Sequence, residues 1–139
     1  MFIYHTQVRL KDTDATGVLY FAEQFRMALE AFEEFLKERG FSLPQLFSSP
    51  YLMPIVHAEG DYFAPLTVGD ELAIALSVIK LGTSSVTIEC SFRSRNIVVG
   101  KVQIVHVVIE KETRNAVPIP DLLRNVLEPE LNVALETRV

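Results

Sequence analysis

A carboxylate, Asp14, lies between a strand-like segment and the start of an apolar helix, where catalytic groups are often found. The preceding residues 3–10 alternate in character, which predicts a strand, and apolar residues recur at helical spacing from Phe21 onward. The first N–H groups of a helix have no internal partner and carry the positive end of its dipole. Backbone donors near Phe21 could therefore polarise a carbonyl oxygen held beside Asp14, so that a carboxylate and an oxyanion site share one loop.

The carboxylate also has a purely structural interpretation. Asp is common before helices as an N-cap, and Asp12 is a competing candidate two residues earlier. Gly17 permits a positive φ or the close approach of a ligand, and these two roles can coincide.

Composition restricts the classes of function. The chain has 139 residues, of which 49% are hydrophobic and 22% charged, and we expect one domain over 1–139 with a loosely ordered tail from about residue 129. The net charge of −5, without a basic run or Cys/His metal spacing, argues against nucleic acid as a partner. With a single cysteine, Cys90, no signal-like leader and no apolar run near the ~20 residues that cross a bilayer, we expect a cytoplasmic protein without membrane insertion.

The predicted elements indicate an α+β fold. A helix of about five turns runs from Phe21 to Gly40, and a short helix follows at 42–47. Four further strands are predicted at 52–63, 71–81, 86–93 and 98–110, with a last short helix at 121–127. Short turns between the later strands favour one antiparallel sheet of about five strands covering the long helix.

An open sheet edge indicates self-association. The β-branched segment 102–109 is predicted to form that edge, which invites pairing with another copy. We expect a homodimer or a dimer of dimers.

Two motifs resemble those of a known family. They are the run Asp12–Phe21 before the long helix and the run Asp61–Pro65 followed by Gly69-Asp70. The family is that of the hotdog-fold acyl-CoA thioesterases of the 4-hydroxybenzoyl-CoA thioesterase type. Within it, the segment 53–58 and the pair Tyr20-Phe21 are most similar to the 1,4-dihydroxy-2-naphthoyl-CoA thioesterases of phylloquinone and menaquinone synthesis.

The resemblance implies roles for particular residues. Asp14 falls on the family's catalytic carboxylate, and Phe21 on the helix-start residue whose backbone N–H binds the thioester oxygen. Asp14 would act as a nucleophile that forms a mixed anhydride or as a general base on water, and both alternatives stay open. The only ligand implied is the acyl-CoA itself, and neither a metal nor a redox cofactor is required.

Further residues are candidates for binding substrate. Gly17 and Tyr20 lie near the helix entrance, and His57, with Glu59 beside it, could line the acyl pocket and bind a ring hydroxyl. A single His on a strand is more often structural, and the same interpretation is favoured for His106. The basic residues that could hold the phosphates of coenzyme A are Arg93, Arg95 and Lys101, although most such clusters are solvated turns.

The sequence therefore predicts hydrolysis of an aromatic acyl-CoA, most specifically 1,4-dihydroxy-2-naphthoyl-CoA. One alternative is a broader acyl-CoA or acyl-carrier-protein thioesterase that acts on aliphatic chains. Another is a non-catalytic acyl-CoA-binding module, which would bind ligand without turnover. A hotdog dehydratase is disfavoured because its His-containing motif is not evident.

Overall fold

The long helix is the centre of the molecule. The computed structural model describes residues 1–131, and within it helix α1 spans Phe21–Glu38. The helix ends where Gly40 adopts a φ of +80°, a left-handed conformation that glycine takes without a steric penalty. One face of α1 is buried, and its members are Gln24, Met27, Ala28, Ala31, Phe32, Phe35 and Leu36. The predicted helix and its end are confirmed.

Five antiparallel strands form the main sheet. Their bounds are β1 Phe2–Gln7, β3 Ile55–Tyr62, β4 Glu71–Leu81, β5 Ser85–Ser94 and β6 Ile97–Val107. Strand β2 (Tyr51–Leu52) pairs separately with β7 (Ile109–Glu110). The predicted strand 52–63 is therefore broken at Met53-Pro54, because proline supplies no N–H to a ladder.

The strand order is β1-β4-β5-β6-β3, so β1 and β3 are the edges of the sheet. The prediction that segment 102–109 is the open edge is wrong. Most of that segment belongs to β6, which lies between β5 and β3. Strand β3 precedes β4 in the chain but pairs with β6, on the side of β6 opposite to β5. This pairing joins distant segments, which local sequence patterns do not encode.

Alternation along the strands decides which side chains face α1. A Cβ on Gly60 would lie 2.9 Å from the ring of Phe25, so even-numbered residues of this part of β3 point at the helix. The same holds for β6, where the buried residues Val102, Ile104 and His106 face inward. The sheet thus wraps one face of the helix, the arrangement that the hotdog resemblance predicts.

The remaining elements close the ends of this core. Helix α2 spans Leu43–Ser48 and helix α3 spans Asp121–Leu127, close to the predicted positions. Of the tail predicted from about residue 129, residues 129–131 are described, with Glu130 buried and bonded to Arg39, and the part from position 132 onward lies outside the described residues. In residues 1–131, none of the helices combines the length and the apolar character needed to traverse a bilayer.

Candidate active site

Asp12 anchors the loop that carries the candidate catalytic residue. Its side chain is buried and accepts hydrogen bonds from the Arg9 N–H at 2.9 Å, the Lys11 ammonium at 2.8 Å and the Arg26 guanidinium at 2.9 Å. Its carbonyl oxygen accepts a bond from the Tyr20 N–H at 2.8 Å. These contacts give Asp12 a structural role and tie the beginning of the loop to the beginning of α1.

Asp14 differs from Asp12 in its exposure to solvent and in its hydrogen-bond partners. It is exposed, and its Oδ1 accepts hydrogen bonds from the Thr16 backbone N–H at 2.8 Å and the Thr16 hydroxyl at 2.5 Å. The Gly17 N–H donates to the Asp14 carbonyl at 3.0 Å, with Gly17 at a φ of +78°. The tight turn therefore requires the glycine, and both bonds from Thr16 end on Oδ1 of Asp14.

The Thr16 bonds favour the ionised carboxylate. The hydrogen bond from the Thr16 hydroxyl contributes most and the bond from the Thr16 backbone N–H contributes next, and together they lower the pKa of Asp14 below its ordinary value. A carboxylate that remains ionised well below neutral pH is available as a base or nucleophile throughout the physiological range.

A change at Thr16 tests this control of ionisation. Thr16→Val removes the hydroxyl donor and keeps the backbone N–H, so the pKa of Asp14 should rise toward its ordinary value. We expect the acidic limb of the pH profile of kcat/KM to move to higher pH, with the plateau near neutrality retained. An unmoved acidic limb would show that a group other than Asp14 titrates there.

The N-terminus of α1 supplies the donor. Tyr20 is the N-cap residue and makes no capping bond with its side chain, and within residues 1–131 the Phe21 N–H has no acceptor. The Tyr62 hydroxyl donates to the Phe21 carbonyl at 2.6 Å and fixes the first turn against the end of β3. An ionised carboxylate and an unpaired helical N–H, seven residues apart along the chain, are the two kinds of group that thioester hydrolysis requires.

A cavity of about 310 Å³ adjoins this helix terminus. Its lining includes Phe21 and Gln24 of α1, Tyr62 at the end of β3 and the chain from Phe63 to Leu66. Gln24 is buried and donates to the Asp61 carbonyl at 3.0 Å, and its side chain packs so closely on Gly100 that a Cβ there would lie 2.3 Å from Oε1. The sequence pattern gave no indication of this glutamine, which lies among apolar residues of the helix.

The other predicted substrate-binding residues have separate positions. Tyr20 is 45% exposed, with its ring centroid 4.8 Å from that of Phe21, so it borders the helix entrance as expected. His57 and Glu59 are odd-numbered residues of β3, so their side chains point away from α1. The His57 Nε2 and Glu59 Oε1 atoms are 3.1 Å apart. Within one chain, the structure places these two residues on the opposite face of the sheet from the α1 terminus.

The three predicted CoA-binding residues are only partly grouped. Arg93 and Arg95 line a common cavity of about 280 Å³ at the β5–β6 turn. Arg95 also donates to the Pro65 carbonyl at 3.5 Å, and Pro65 belongs to the wall of the cavity beside α1. Lys101 lies further along β6, where it pairs with Asp61 and Ser91 across the sheet.

Neither Cys90 nor His106 lies at the Asp14 loop. Cys90 is fully buried under α1, and burial raises the pKa of its thiol to about 12, which leaves it unsuited to be a nucleophile. His106 is 5% exposed on β6, and its Nδ1 lies 3.0 Å from the carbonyl oxygen of Met53. The sequence offered no partner for His106 because Met53 is 53 residues away along the chain.

The family model, the relatives and the solved structures that match this chain all indicate one family. Residues 8–127 match the model of the Thioesterase-like superfamily. The chain is 38% identical to a 1,4-dihydroxy-2-naphthoyl-CoA hydrolase of Nostoc punctiforme, with coverage of 91% of this chain and 86% of that one. Among solved structures, a 1,4-dihydroxy-2-naphthoyl-CoA thioesterase from Synechocystis has a TM-score of 0.86 at 30% identity, covering 91% and 94% of the two chains. A gentisyl-coenzyme A thioesterase has a TM-score of 0.80, also at 30% identity, covering 90% and 98%. Because the family match extends over most of its length, this chain belongs to the Thioesterase-like superfamily.

Proposed function

We propose that this chain hydrolyses 1,4-dihydroxy-2-naphthoyl-CoA to 1,4-dihydroxy-2-naphthoate and coenzyme A. The observation that carries the proposal is that the loop of the ionised Asp14 leads directly into α1, whose first N–H, that of Phe21, is unpaired within residues 1–131. Relatives from several cyanobacteria, named as hydrolases of this thioester and 32–38% identical to the chain, support the choice of acyl group.

The reaction needs only these two groups and water. The Phe21 N–H binds the thioester oxygen and stabilises the negative charge that develops there. Asp14 either attacks the carbonyl carbon, forming a mixed anhydride that water then hydrolyses, or removes a proton from the attacking water. Both routes break the C–S bond and release the coenzyme A thiol and the carboxylic acid.

A second copy of the chain completes the site in our proposal. The outer edge of β3 is unpaired within residues 1–131, and Val56 in this strand and Phe63 directly after it are 60% and 58% exposed. Phe21 on α1 is 59% exposed and its carbonyl accepts the bond from Tyr62, so exposed apolar side chains form an interrupted strip at the two ends of this edge. Pairing of two β3 edges about a two-fold axis would extend the sheet and cover this strip.

The direction of β3 determines what the partner contributes. Gly60 packs on Phe25, whereas Ile55 pairs with His106, whose ring packs on Phe32. Strand β3 therefore runs antiparallel to α1. In a two-fold pair the α1 N-terminus of one subunit would lie beside the middle of α1 in its partner, so the acyl group would bind between subunits.

The dimer has a test of its own. Val56→Glu places a charge on the proposed interface, and we expect native mass spectrometry to show a dimer or tetramer for the wild type and a shift toward monomer for the variant. Val68→Glu is the matched control, because Val68 is similarly exposed, at 52%, in the turn before β4. A monomeric wild type at micromolar concentration would contradict the dimer.

Likeness to a gentisyl-coenzyme A thioesterase favours a second candidate, a dihydroxylated benzoyl-CoA. The experiment is thiol release from 1,4-dihydroxy-2-naphthoyl-CoA, gentisyl-CoA, benzoyl-CoA and palmitoyl-CoA at equal concentrations. We expect the highest kcat/KM for the naphthoyl thioester. A preference for palmitoyl-CoA would move the function to lipid metabolism, and binding without thiol release would favour an acyl-CoA-binding module.

A further inference from the structure

A second cavity lies between α1, α2 and β6, away from the loop of Asp14. It has a volume of about 300 Å³, and its walls are largely apolar. The residues that matter here are Leu29, Phe32, Leu46, Phe47, Met53 and His106. The cavity combines a flat aromatic wall, aliphatic side chains and one inward-facing imidazole.

The imidazole of His106 has one nitrogen bonded and one nitrogen unbonded. Nδ1 lies 3.0 Å from the Met53 carbonyl oxygen, which can only accept, so Nδ1 carries the proton. Nε2 is buried without a partner among residues 1–131, and the residue is 5% exposed. Burial lowers the pKa of His106, which favours the neutral ring. Nε2 is then an unpaired lone-pair acceptor of a residue that lines the cavity.

An unpaired buried acceptor favours a ligand that brings a donor. Leaving such a group unsatisfied is unfavourable, and a matching donor on a ligand removes that penalty. The Phe32 ring lines the same cavity and packs on the imidazole, with the two ring centroids 4.9 Å apart, so a flat ring that enters the cavity meets aromatic side chains. A hydroxylated aromatic ring satisfies both features, whereas an aliphatic chain brings no donor.

The cavity is within reach of the reaction centre only across subunits. Leu29 is eight residues beyond Phe21, or about 12 Å along the helix axis at 1.5 Å per residue. A bicyclic acyl group attached at the Phe21 N–H would not extend so far along its own helix. The antiparallel course of β3 and α1 instead brings the α1 terminus of the partner toward this cavity.

We propose that His106 is a specificity-determining residue whose Nε2 accepts a hydrogen bond from a ring hydroxyl of the aromatic acyl group. The inference rests on the proposed function and names a residue that selects the substrate of that site. His106 takes no part in breaking the thioester bond.

Two substitutions separate the roles of the two nitrogens. His106→Asn can still donate to the Met53 carbonyl but lacks an acceptor at the position of Nε2. His106→Gln reaches that position with an amide oxygen. Glu33→Gln is a control for the exposed carboxylate that also borders the cavity. Thermal unfolding of each variant checks that the fold is retained.

The principal measurement is the ratio of kcat/KM for 1,4-dihydroxy-2-naphthoyl-CoA to that for 2-naphthoyl-CoA. We expect His106→Asn to lower this ratio by about 10- to 100-fold, with the value for 2-naphthoyl-CoA nearly unchanged. His106→Gln should recover part of the ratio, and Glu33→Gln should keep it. Equal losses on both substrates, an unchanged ratio in His106→Asn, or loss of the ratio in Glu33→Gln would overturn the proposal.

A binding measurement keeps the inference distinct from the proposed function. Calorimetry with 1,4-dihydroxy-2-naphthoate and 2-naphthoate requires no turnover, and the wild type should bind the hydroxylated acid about 10-fold or more tightly, a preference lost in His106→Asn. Selective binding without thioester hydrolysis would reject the proposed function and support the role of His106. Hydrolysis without a preference for the hydroxylated substrate would support the proposed function and reject the role of His106. The absence of both hydrolysis and selective binding would reject the proposed function and the role of His106 together.

Discussion

Asp14→Asn should lower kcat for thioester hydrolysis by about 10²–10⁴-fold, the usual contribution of a positioned acid or base. The amide is nearly the size of the carboxylate but is neither a base nor an effective nucleophile. Its oxygen can still accept the bonds from Thr16 that hold the loop. The fold and the affinity for substrate should therefore survive while the chemical step is lost.

Steady-state thiol release, with single-turnover rates to isolate chemistry from product release, measures this effect. Asp121→Asn is the matched control, since Asp121 is an exposed carboxylate at the first residue of α3. A fall in KM and kcat together in Asp14→Asn would point to altered ground-state binding. Full activity in Asp14→Asn would remove Asp14 from the reaction.

The parts of this site that depend on neighbouring residues could be predicted from sequence. Helix α1 has an apolar period, a cationic last turn and a terminal glycine, which are all local signals, and its observed limits agree with them. The turn that carries Asp14 is also local, because Gly17 and Thr16 supply its geometry. The local pattern did not distinguish Asp12 from Asp14, because the contacts of Asp12 include Arg26 in the helix, and the choice of Asp14 came from the family resemblance.

Features that depend on distant segments could not be predicted in the same way. The sheet edge was assigned to the wrong strand because β3 pairs with β6 across about forty intervening residues. His57 and Glu59 have the correct spacing for one strand face, but only the packing of Gly60 on Phe25 shows which face meets the helix. His106 looked isolated because its partner and its cavity come from other parts of the chain.

Asp12→Asn should lower the free energy of unfolding by about 1.5–3 kcal/mol at neutral pH, the range for hydrogen bonds to charged groups. The side chain of Asp12 is 2% exposed, so water does not replace the lost ionic bonds to Lys11 and Arg26. The asparagine retains an oxygen for the Arg9 N–H, which limits the loss. Urea unfolding at a fixed protein concentration measures the difference.

The pH dependence of this difference identifies its cause. Burial opposes the ionisation of Asp12, but the bonds from Lys11 and Arg9 and the charge of Arg26 outweigh it, and the pKa of Asp12 is lowered. A carboxylate with a lowered pKa stabilises the folded state above its ordinary pKa, and this stabilisation is lost as the pH falls through the pKa in the folded protein. The gap between wild type and Asp12→Asn should therefore narrow in acid.

Lys11→Met is the appropriate comparison, because the Lys11 side chain is 64% exposed and its ion pair is screened by water. We expect it to change the free energy of unfolding by less than about 1 kcal/mol. The folded fraction of Asp12→Asn should still hydrolyse substrate, since Asp14 and the Phe21 N–H remain, in contrast to Asp14→Asn. A stable Asp12→Asn protein without activity, together with full activity in Asp14→Asn, would mean that Asp12, rather than Asp14, is the catalytic carboxylate.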